Sequence, residues 1–101
     1  MSMDREQEII NSIVNILVKF LNPSAIYLFG SRASNTAAKH SDFDFALDCN
    51  KPNPTLRRQI EEEINKVAGL YKVDIVYLLD TEEDFRQMVY KNGRLIHGRK
   101  S

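Results

Sequence analysis

The sequence predicts an α+β fold with a small mixed sheet, and three observations lead to that prediction. Apolar residues recur at three- and four-residue spacing over residues 5–21, which predicts an amphipathic helix. Residues 25–29 and 42–48 have the length and apolar content of strands. A second helical pattern at residues 55–68 separates them from a third strand at 72–79, as a crossover between parallel strands requires.

Composition and charge indicate one globular domain over residues 1–101. The chain is 43% hydrophobic and 28% charged, which is ordinary for a protein with a single core. Lys plus Arg and Asp plus Glu number 14 each, so the overall charge gives no attraction to nucleic acid. We expect Arg94, Arg99 and Lys100 to be solvated rather than to bind nucleic acid.

The pattern of cysteine and apolar residues favours a cytoplasmic protein. Cys49 is the only cysteine, so no internal disulfide is possible, and we interpret it as a structural thiol rather than a nucleophile. No apolar run approaches the roughly 18 residues needed to cross a bilayer. Asp4, Glu6 and Glu8 stand where a signal peptide would be basic, so we expect neither a signal peptide nor a membrane partner.

The first helix is expected to be a wall of the core that carries no chemistry. Its apolar face comprises Ile9, Ile10, Ile13, Val14, Leu17, Phe20 and Leu21. Asn22-Pro23 ends it, because the residue before proline avoids the helical region. The strand at 25–29 is apolar on both faces, which indicates that both faces are covered.

The strand at 42–48 alternates between aromatic and acidic residues. One face carries Phe43, Phe45 and Leu47, and the other carries Asp42, Asp44, Ala46 and Asp48. Aspartate is depleted in strands, so three aspartates on one strand face indicate a specific role for that face. The preceding residues 32–38 are compatible with either a short helix or an ordered loop.

The second half of the chain is predicted to be helix, strand, helix and a short final segment. Thr55 is expected to cap the helix at 55–68, Gly69 to end it, and Leu56, Ile60, Ile64 and Val67 to face inward. Asp74 lies near the start of the strand Lys72 to Leu79. Thr81-Glu82-Glu83-Asp84 resembles a capping box that opens a helix through Tyr90, with Phe85, Met88 and Val89 as its apolar face. Asn92-Gly93 then turns the chain into a possible edge strand at 94–97.

Three aspartates and a glycine–serine turn are expected to converge. Gly30-Ser31 ends the first strand and Asp42 and Asp44 begin the second, so the two meet if these strands are antiparallel neighbours. Asp74 joins them if the second and third strands are parallel, and the helix between those strands permits this.

The convergent residues have the chemistry of a metal and phosphate site. Two carboxylates at positions i and i+2 of a strand share a face, with Cα atoms roughly 7 Å apart. Mg²⁺ binds such oxygen ligands together with substrate phosphates, and two ions can support an in-line displacement. Gly30 allows the backbone to approach a phosphate closely, and Ser31 can donate to its oxygens.

These motifs resemble those of a known family. Gly30-Ser31, followed after ten residues by Asp42-Phe43-Asp44, is similar to the signature of the DNA polymerase β-like nucleotidyltransferase superfamily. Residues 28–33, 41–47 and 73–76 resemble the corresponding segments of minimal nucleotidyltransferases. The resemblance implies a polymerase β-like palm, in which helices lie mainly on one face of the small mixed sheet.

The resemblance also implies an activity, which is transfer of AMP from ATP to a hydroxyl with release of pyrophosphate. Asp42 and Asp44 would hold two Mg²⁺ ions, and Asp74 would bind one of them and help deprotonate the acceptor. Gly30 and Ser31 would hold the β- and γ-phosphates. Arg32 is either a phosphate contact or an outward salt-bridge residue, and Lys39 and His40 are expected to be surface residues.

Minimal nucleotidyltransferases of this type resemble the antitoxin half of a toxin–antitoxin pair. The implied partner is an all-helical HEPT-domain toxin encoded by the adjacent gene, and the implied acceptor is a tyrosine hydroxyl. Two alternatives remain open at this point. One is an antitoxin that neutralises its partner by binding alone. The other is transfer to a small molecule, as in aminoglycoside nucleotidyltransferases, although the chain shows no acceptor-binding domain for it.

Overall fold

The computed structural model of the chain describes residues 5–29 and 43–98. In chain order, these residues form α1 (Arg5–Leu21), β1 (Ala25–Phe29), β2 (Phe43–Leu47), α2 (Pro54–Ala68), β3 (Val73–Tyr77), a 3₁₀ turn (Leu78–Asp80), α3 (Glu83–Asn92) and β4 (Arg94–Gly98). The α+β prediction is confirmed. No helix in these two ranges is both long and apolar enough to span a membrane.

The four strands form one mixed sheet in the order β3-β2-β1-β4. β1 is antiparallel to both β2 and β4, whereas β2 and β3 are parallel. The parallel pair is joined by α2, because a parallel connection must cross over the sheet. Both strand orientations that the sequence analysis required are therefore confirmed, and the final segment is an edge strand as expected.

The sheet has a different cover on each face. On one face, α1 and α2 bury the main core cluster, which includes Ile13, Leu17, Ile26, Leu28, Phe43, Phe45, Leu47, Ile60 and Ile64. On the other face, α3 covers a smaller cluster of Ala46, Leu78 and Val89, against which Tyr27, Phe29, Val76, Phe85 and Tyr90 pack. Since burial of each large apolar side chain contributes about 1.5–3 kcal/mol, the face with two helices supplies most of the stability. β1 is covered on both faces, as its uniformly apolar sequence predicted.

The start of α2 differs from the prediction. The helix begins at Pro54, and its cap is Asn53, whose Oδ1 accepts a hydrogen bond of 2.8 Å from the Leu56 backbone N–H. Thr55 was expected to cap the helix, which is wrong, because Thr55 already lies in its first turn. Proline is well tolerated at this first position, since its missing N–H would have no partner there. Gly69 ends the helix with a φ of 65°, a conformation that favours glycine.

The region between β3 and α3 also departs from the prediction. β3 ends at Tyr77 rather than Leu79, because Leu78–Asp80 form a 3₁₀ turn. Leu78 is fully buried in that turn. The Thr81 hydroxyl donates to the Leu78 carbonyl at 2.7 Å and so closes that turn. The predicted capping box is wrong, since α3 begins after Glu82 with no side-chain cap. Met88, which was expected to face inward, is 41% exposed.

The cap of α2 offers a direct test of this fold. Replacing Asn53 with Ala removes the acceptor for the Leu56 N–H and should reduce the free energy of unfolding by about 0.5–2 kcal/mol. For a domain of this size, a loss of about 1 kcal/mol lowers Tm by roughly 4–8 °C. The matched control is Thr55→Ala, which should leave Tm close to that of the wild type. Thermal unfolding followed by circular dichroism distinguishes the two, and a larger loss in Thr55→Ala would mean that the observed cap is wrong.

Candidate active site

Strand pairing brings two of the predicted carboxylates to one end of the sheet. β1 ends where β2 begins, and Phe29 is the register partner of Asp44. In the parallel pair, Asp44 is the register partner of Asp74. Neighbouring strands lie about 4.8 Å apart, so the two aspartates are adjacent across the strand pair. The expected meeting of Asp44 and Asp74 is present in the structure.

Both carboxylates lie on the face of the sheet that carries α3. Their strand neighbours Phe43, Phe45 and Val73 pack in the main core cluster on the opposite face, and side chains alternate between faces along a strand. Two residues farther along, Ala46 and Val76 are covered by α3. The aspartates lie beyond this cover, with Asp44 half-buried and Asp74 exposed. At this end of the sheet, the two aspartates therefore lie next to the apolar side chains that α3 covers.

An aromatic pair stands beside Asp44. The ring of Phe29 contacts the ring of Phe85 from α3 edge-to-face, with centroids 5.9 Å apart and an interplanar angle of 85°. Such geometry is favourable because the positive edge of one ring meets the negative face of the other. The pair fixes the end of β1, from which the chain continues toward Gly30 and Ser31.

Several predicted site residues lie outside the described part of the chain. They are the phosphate-holding candidates Gly30, Ser31 and Arg32, the first carboxylate Asp42, and the surface candidates Lys39 and His40. The choice between a helix and a loop at residues 32–38 falls in the same range. Their roles remain predictions from the sequence.

The described carboxylates suit a hard divalent cation. Asp44 and Asp74 supply only oxygen donors, which is the ligand type that Mg²⁺ prefers. Within residues 5–29 and 43–98, no group of three or more His, Cys, Asp or Glu residues could by itself hold a metal ion. The third predicted ligand, Asp42, precedes the described part of β2. The two aspartates therefore form a fitting but partial donor set.

Asp48, the last aspartate of the acidic strand face, has a structural role. Its Oδ1 accepts a hydrogen bond of 3.1 Å from the Tyr90 hydroxyl, and its backbone N–H donates to the Ala25 carbonyl at 2.9 Å. The pKa of Tyr90 is raised by burial and by this hydrogen bond to Asp48. Asp48 thus ties β2 to α3 at the end of the sheet away from Asp44. No sequence pattern pairs Tyr90 with Asp48, because the two are far apart along the chain.

The Cys49 thiol is held in its neutral form. Burial raises its pKa to about 11, and the negative charges of Asp48 and Asp80 add to the shift. Because the thiolate is the reactive species, Cys49 is unsuited to nucleophilic catalysis at neutral pH. Its surroundings agree with the interpretation of a structural thiol.

A protein-family model and a named relative both match most of the chain. Residues 11–101 match the model of the family described as Polymerase beta, Nucleotidyltransferase. The chain is 29% identical over 90 residues to a Haemophilus influenzae protein named "Probable protein adenylyltransferase MntA", and this match covers 88% of the chain and 79% of that relative.

Solved structures of toxin–antitoxin complexes share the fold. A crystal structure of a toxin–antitoxin with AMP-PNP has a TM-score of 0.72 at 26% identity, covering 89% of this chain and 73% of the other. A complex of a tri-AMPylated Shewanella oneidensis HEPN toxin with an MNT antitoxin has a TM-score of 0.68 at 23% identity. That second match covers 92% of this chain and 72% of the other, and at its level of identity it shows the fold alone.

The environment of Cys49 predicts slow alkylation with an alkaline pH profile. Relative to an ordinary thiol with a pKa of 9.0, a pKa of about 11 lowers the thiolate fraction about 100-fold near pH 8. The rate of reaction with iodoacetamide should therefore keep rising with pH until about 11 in the folded protein. The control is the same protein unfolded in guanidinium, where the midpoint should return to the ordinary range. A midpoint near 9 in the folded protein would contradict the described surroundings of Cys49.

Proposed function

Since the chain belongs to the Polymerase beta, Nucleotidyltransferase family, we propose that it transfers AMP from ATP to a hydroxyl, most directly that of a tyrosine, on a helical HEPT-type partner toxin. By this transfer it acts as the antitoxin of that partner. The observation that carries the proposal is the placement of Asp44 beside Asp74 at the end of β1.

The adjacency of the two aspartates favours catalysis over binding alone. Like charges directly opposite each other on neighbouring strands destabilise a sheet. Asp44 and Asp74 are such a pair, and apolar residues surround them along both strands. A scaffold for binding a partner gains nothing from this repulsion, whereas a cation bound between the two carboxylates would offset it. The repulsive pair at the strand start therefore supports the catalytic proposal.

Each proposed residue has a distinct task in the transfer. Gly30 and Ser31 would hold the β- and γ-phosphates, with Arg32 as a further phosphate contact, and Asp42, Asp44 and Asp74 would hold two Mg²⁺ ions. Bound there, Mg²⁺ would neutralise charge on the phosphates and on the attacking and leaving oxygens. Asp74 also helps remove the acceptor proton. The acceptor oxygen then forms a bond to the α-phosphorus, while the bond from that phosphorus to the bridging oxygen breaks and pyrophosphate leaves.

The partner assignment is supported by the relatives. One relative is named as a protein adenylyltransferase, and two solved neighbours are toxin–antitoxin complexes, one of them with AMP-PNP and one with an AMPylated toxin. AMP-PNP is an ATP analogue, which agrees with ATP as the donor. A complex with the toxin encoded by the adjacent gene follows from the same proposal.

Conservative substitutions of the aspartates test the proposal. Asp44→Asn and Asp74→Asn keep side-chain size but remove a negative charge, so label transfer from [α-³²P]ATP to the partner should fall by at least about 100-fold. The matched control is Asp48→Asn, which lies on the same acidic face and keeps an acceptor for Tyr90. It should retain transfer, and chelation of Mg²⁺ with EDTA should abolish transfer in every variant.

The same experiment separates catalysis from binding. All three variants should still form the complex with the partner, measured by size-exclusion chromatography. If the wild-type protein neutralises the toxin without any label transfer, the enzymatic proposal is wrong. If Asp48→Asn is as inactive as Asp44→Asn, the assignment of the site to the β2–β3 strand start is wrong.

A further inference from the structure

The segment between α2 and β3 leads directly to the candidate site. Residues 69–72 connect the two elements, and Asp74 follows two residues after Lys72. The carbonyl of Lys72 accepts a hydrogen bond of 2.8 Å from the Phe43 backbone N–H. Phe43 immediately precedes Asp44, so this bond places the segment at the same end of the sheet as the paired aspartates.

Contacts on both sides of Leu70 hold the segment in place. The Tyr71 backbone N–H donates to the Ala68 carbonyl at 3.2 Å. The Tyr71 ring also packs on Phe43, with centroids 5.0 Å apart, and belongs to the edge of the main core cluster. Leu70 itself is 86% exposed, the highest value among the exposed large hydrophobic residues of the described chain. An anchored turn thus presents a leucine to solvent.

Lys72 lies on the same face of the sheet as the aspartates. Its carbonyl points to β2, and side chains alternate along the strand, so residues 72, 74 and 76 share one face. Val76 packs in the cluster under α3, which identifies that face. Lys72 is exposed and therefore available to a bound molecule. Another cation, Arg86, is engaged elsewhere, since it donates to the carbonyls of Leu78 and Thr81.

The strand order indicates which substrate this edge meets. β3 is an edge strand, and β2 separates it from β1, whose end leads to the proposed phosphate-holding residues. With about 4.8 Å between strands, β3 lies roughly 10 Å across the sheet from β1. The acceptor must approach from the side opposite the leaving pyrophosphate, because the displacement is in line.

We propose that Leu70 and Lys72 form the acceptor-docking edge of the site, a surface that receives a partner segment with an apolar side chain and a carboxylate beside the acceptor hydroxyl. Leu70 packs against the apolar side chain of that segment, and Lys72 pairs with its carboxylate. The inference rests on the proposed transfer to a protein partner. It identifies the part of this chain that recognises that partner.

The test uses two pairs of matched variants and the full-length partner toxin. Leu70→Ser is compared with Leu95→Ser, which is also exposed, at 56%, but lies on the opposite edge strand β4. Lys72→Gln is compared with Lys91→Gln in the last turn of α3. Two quantities are measured for each variant. One is the Kd of the nucleotide-free complex, and the other is the set of steady-state constants for label transfer, with separate KM values for ATP and for the partner.

Only Leu70→Ser and Lys72→Gln should differ from the wild type. The differences should appear only in the constants that depend on the partner. Leu70→Ser should raise the Kd by about 10-fold or more, as expected when a buried leucine is lost from an interface. Lys72→Gln should lower kcat/KM for the partner by about 10-fold while KM for ATP stays within about 2-fold. Leu95→Ser and Lys91→Gln should match the wild type in both measurements.

Other outcomes separate this inference from the proposed function. If the wild type transfers label and both test variants match their controls, the docking edge is wrong and the transfer stands. If Lys72→Gln instead raises KM for ATP, the acceptor-side assignment is overturned. If the wild type transfers no label but Leu70→Ser still weakens the complex, Leu70 contacts the partner, and both the proposed transfer and the acceptor role of this edge are wrong.

Discussion

The parallel pairing of β2 with β3 is the constraint on which the rest of the molecule depends. The pairing places Asp44 opposite Asp74, and it also places Phe43 and Phe45 against α1 and α2. A slip of β2 by one residue would turn its side chains to the other face, burying the charge of Asp44 and exposing two phenylalanines. Packing of the core and assembly of the site therefore depend on the same register of β2 and β3. α2 permits this parallel pairing by forming the crossover.

The third helix covers only part of the second face of the sheet. α3 covers the rows that contain Ala46 and Val76, and Tyr90 secures it to Asp48. The row that contains Asp44 and Asp74 extends past this cover, beside the Phe29–Phe85 pair. The acidic face of β2 thus has two distinct ends, since Asp48 attaches a helix and Asp44 lies beside Asp74.

The sequence predicted the strands and their orientations because those depend on patterns along many residues. Alternation in Phe43–Leu47 and the helical repeat over Pro54–Ala68 each involve several large side chains whose burial dominates the energy. Helix ends depend instead on single hydrogen bonds of about 1 kcal/mol. Asn53 and Thr55 are both good cap residues, so their order in the chain could not decide which one caps α2.

The site was predictable to the extent that it follows from topology. The meeting of Asp44 and Asp74 required only that β2 and β3 run parallel, which the length of their connection implied. The Tyr90–Asp48 hydrogen bond and the exposure of Leu70 depend on how α3 and the α2–β3 turn pack, and neighbours in sequence do not reveal this. The roles of Gly30, Ser31, Arg32 and Asp42 rest on the family motif, since these residues lie outside the described ranges.

Paramagnetic broadening by Mn²⁺ tests the central claim, that β2 and β3 bring Asp44 and Asp74 into one cation site. Mn²⁺ prefers the same oxygen ligands as Mg²⁺, and it broadens the amide signals of nearby residues in a ¹⁵N-labelled protein. With AMP-PNP present, the signals of residues 43–45 and 73–75 should broaden together at the lowest Mn²⁺ concentrations, before those of Asp48 and Tyr90. Broadening at only one of the two strand starts, or first around Asp48, would contradict the account.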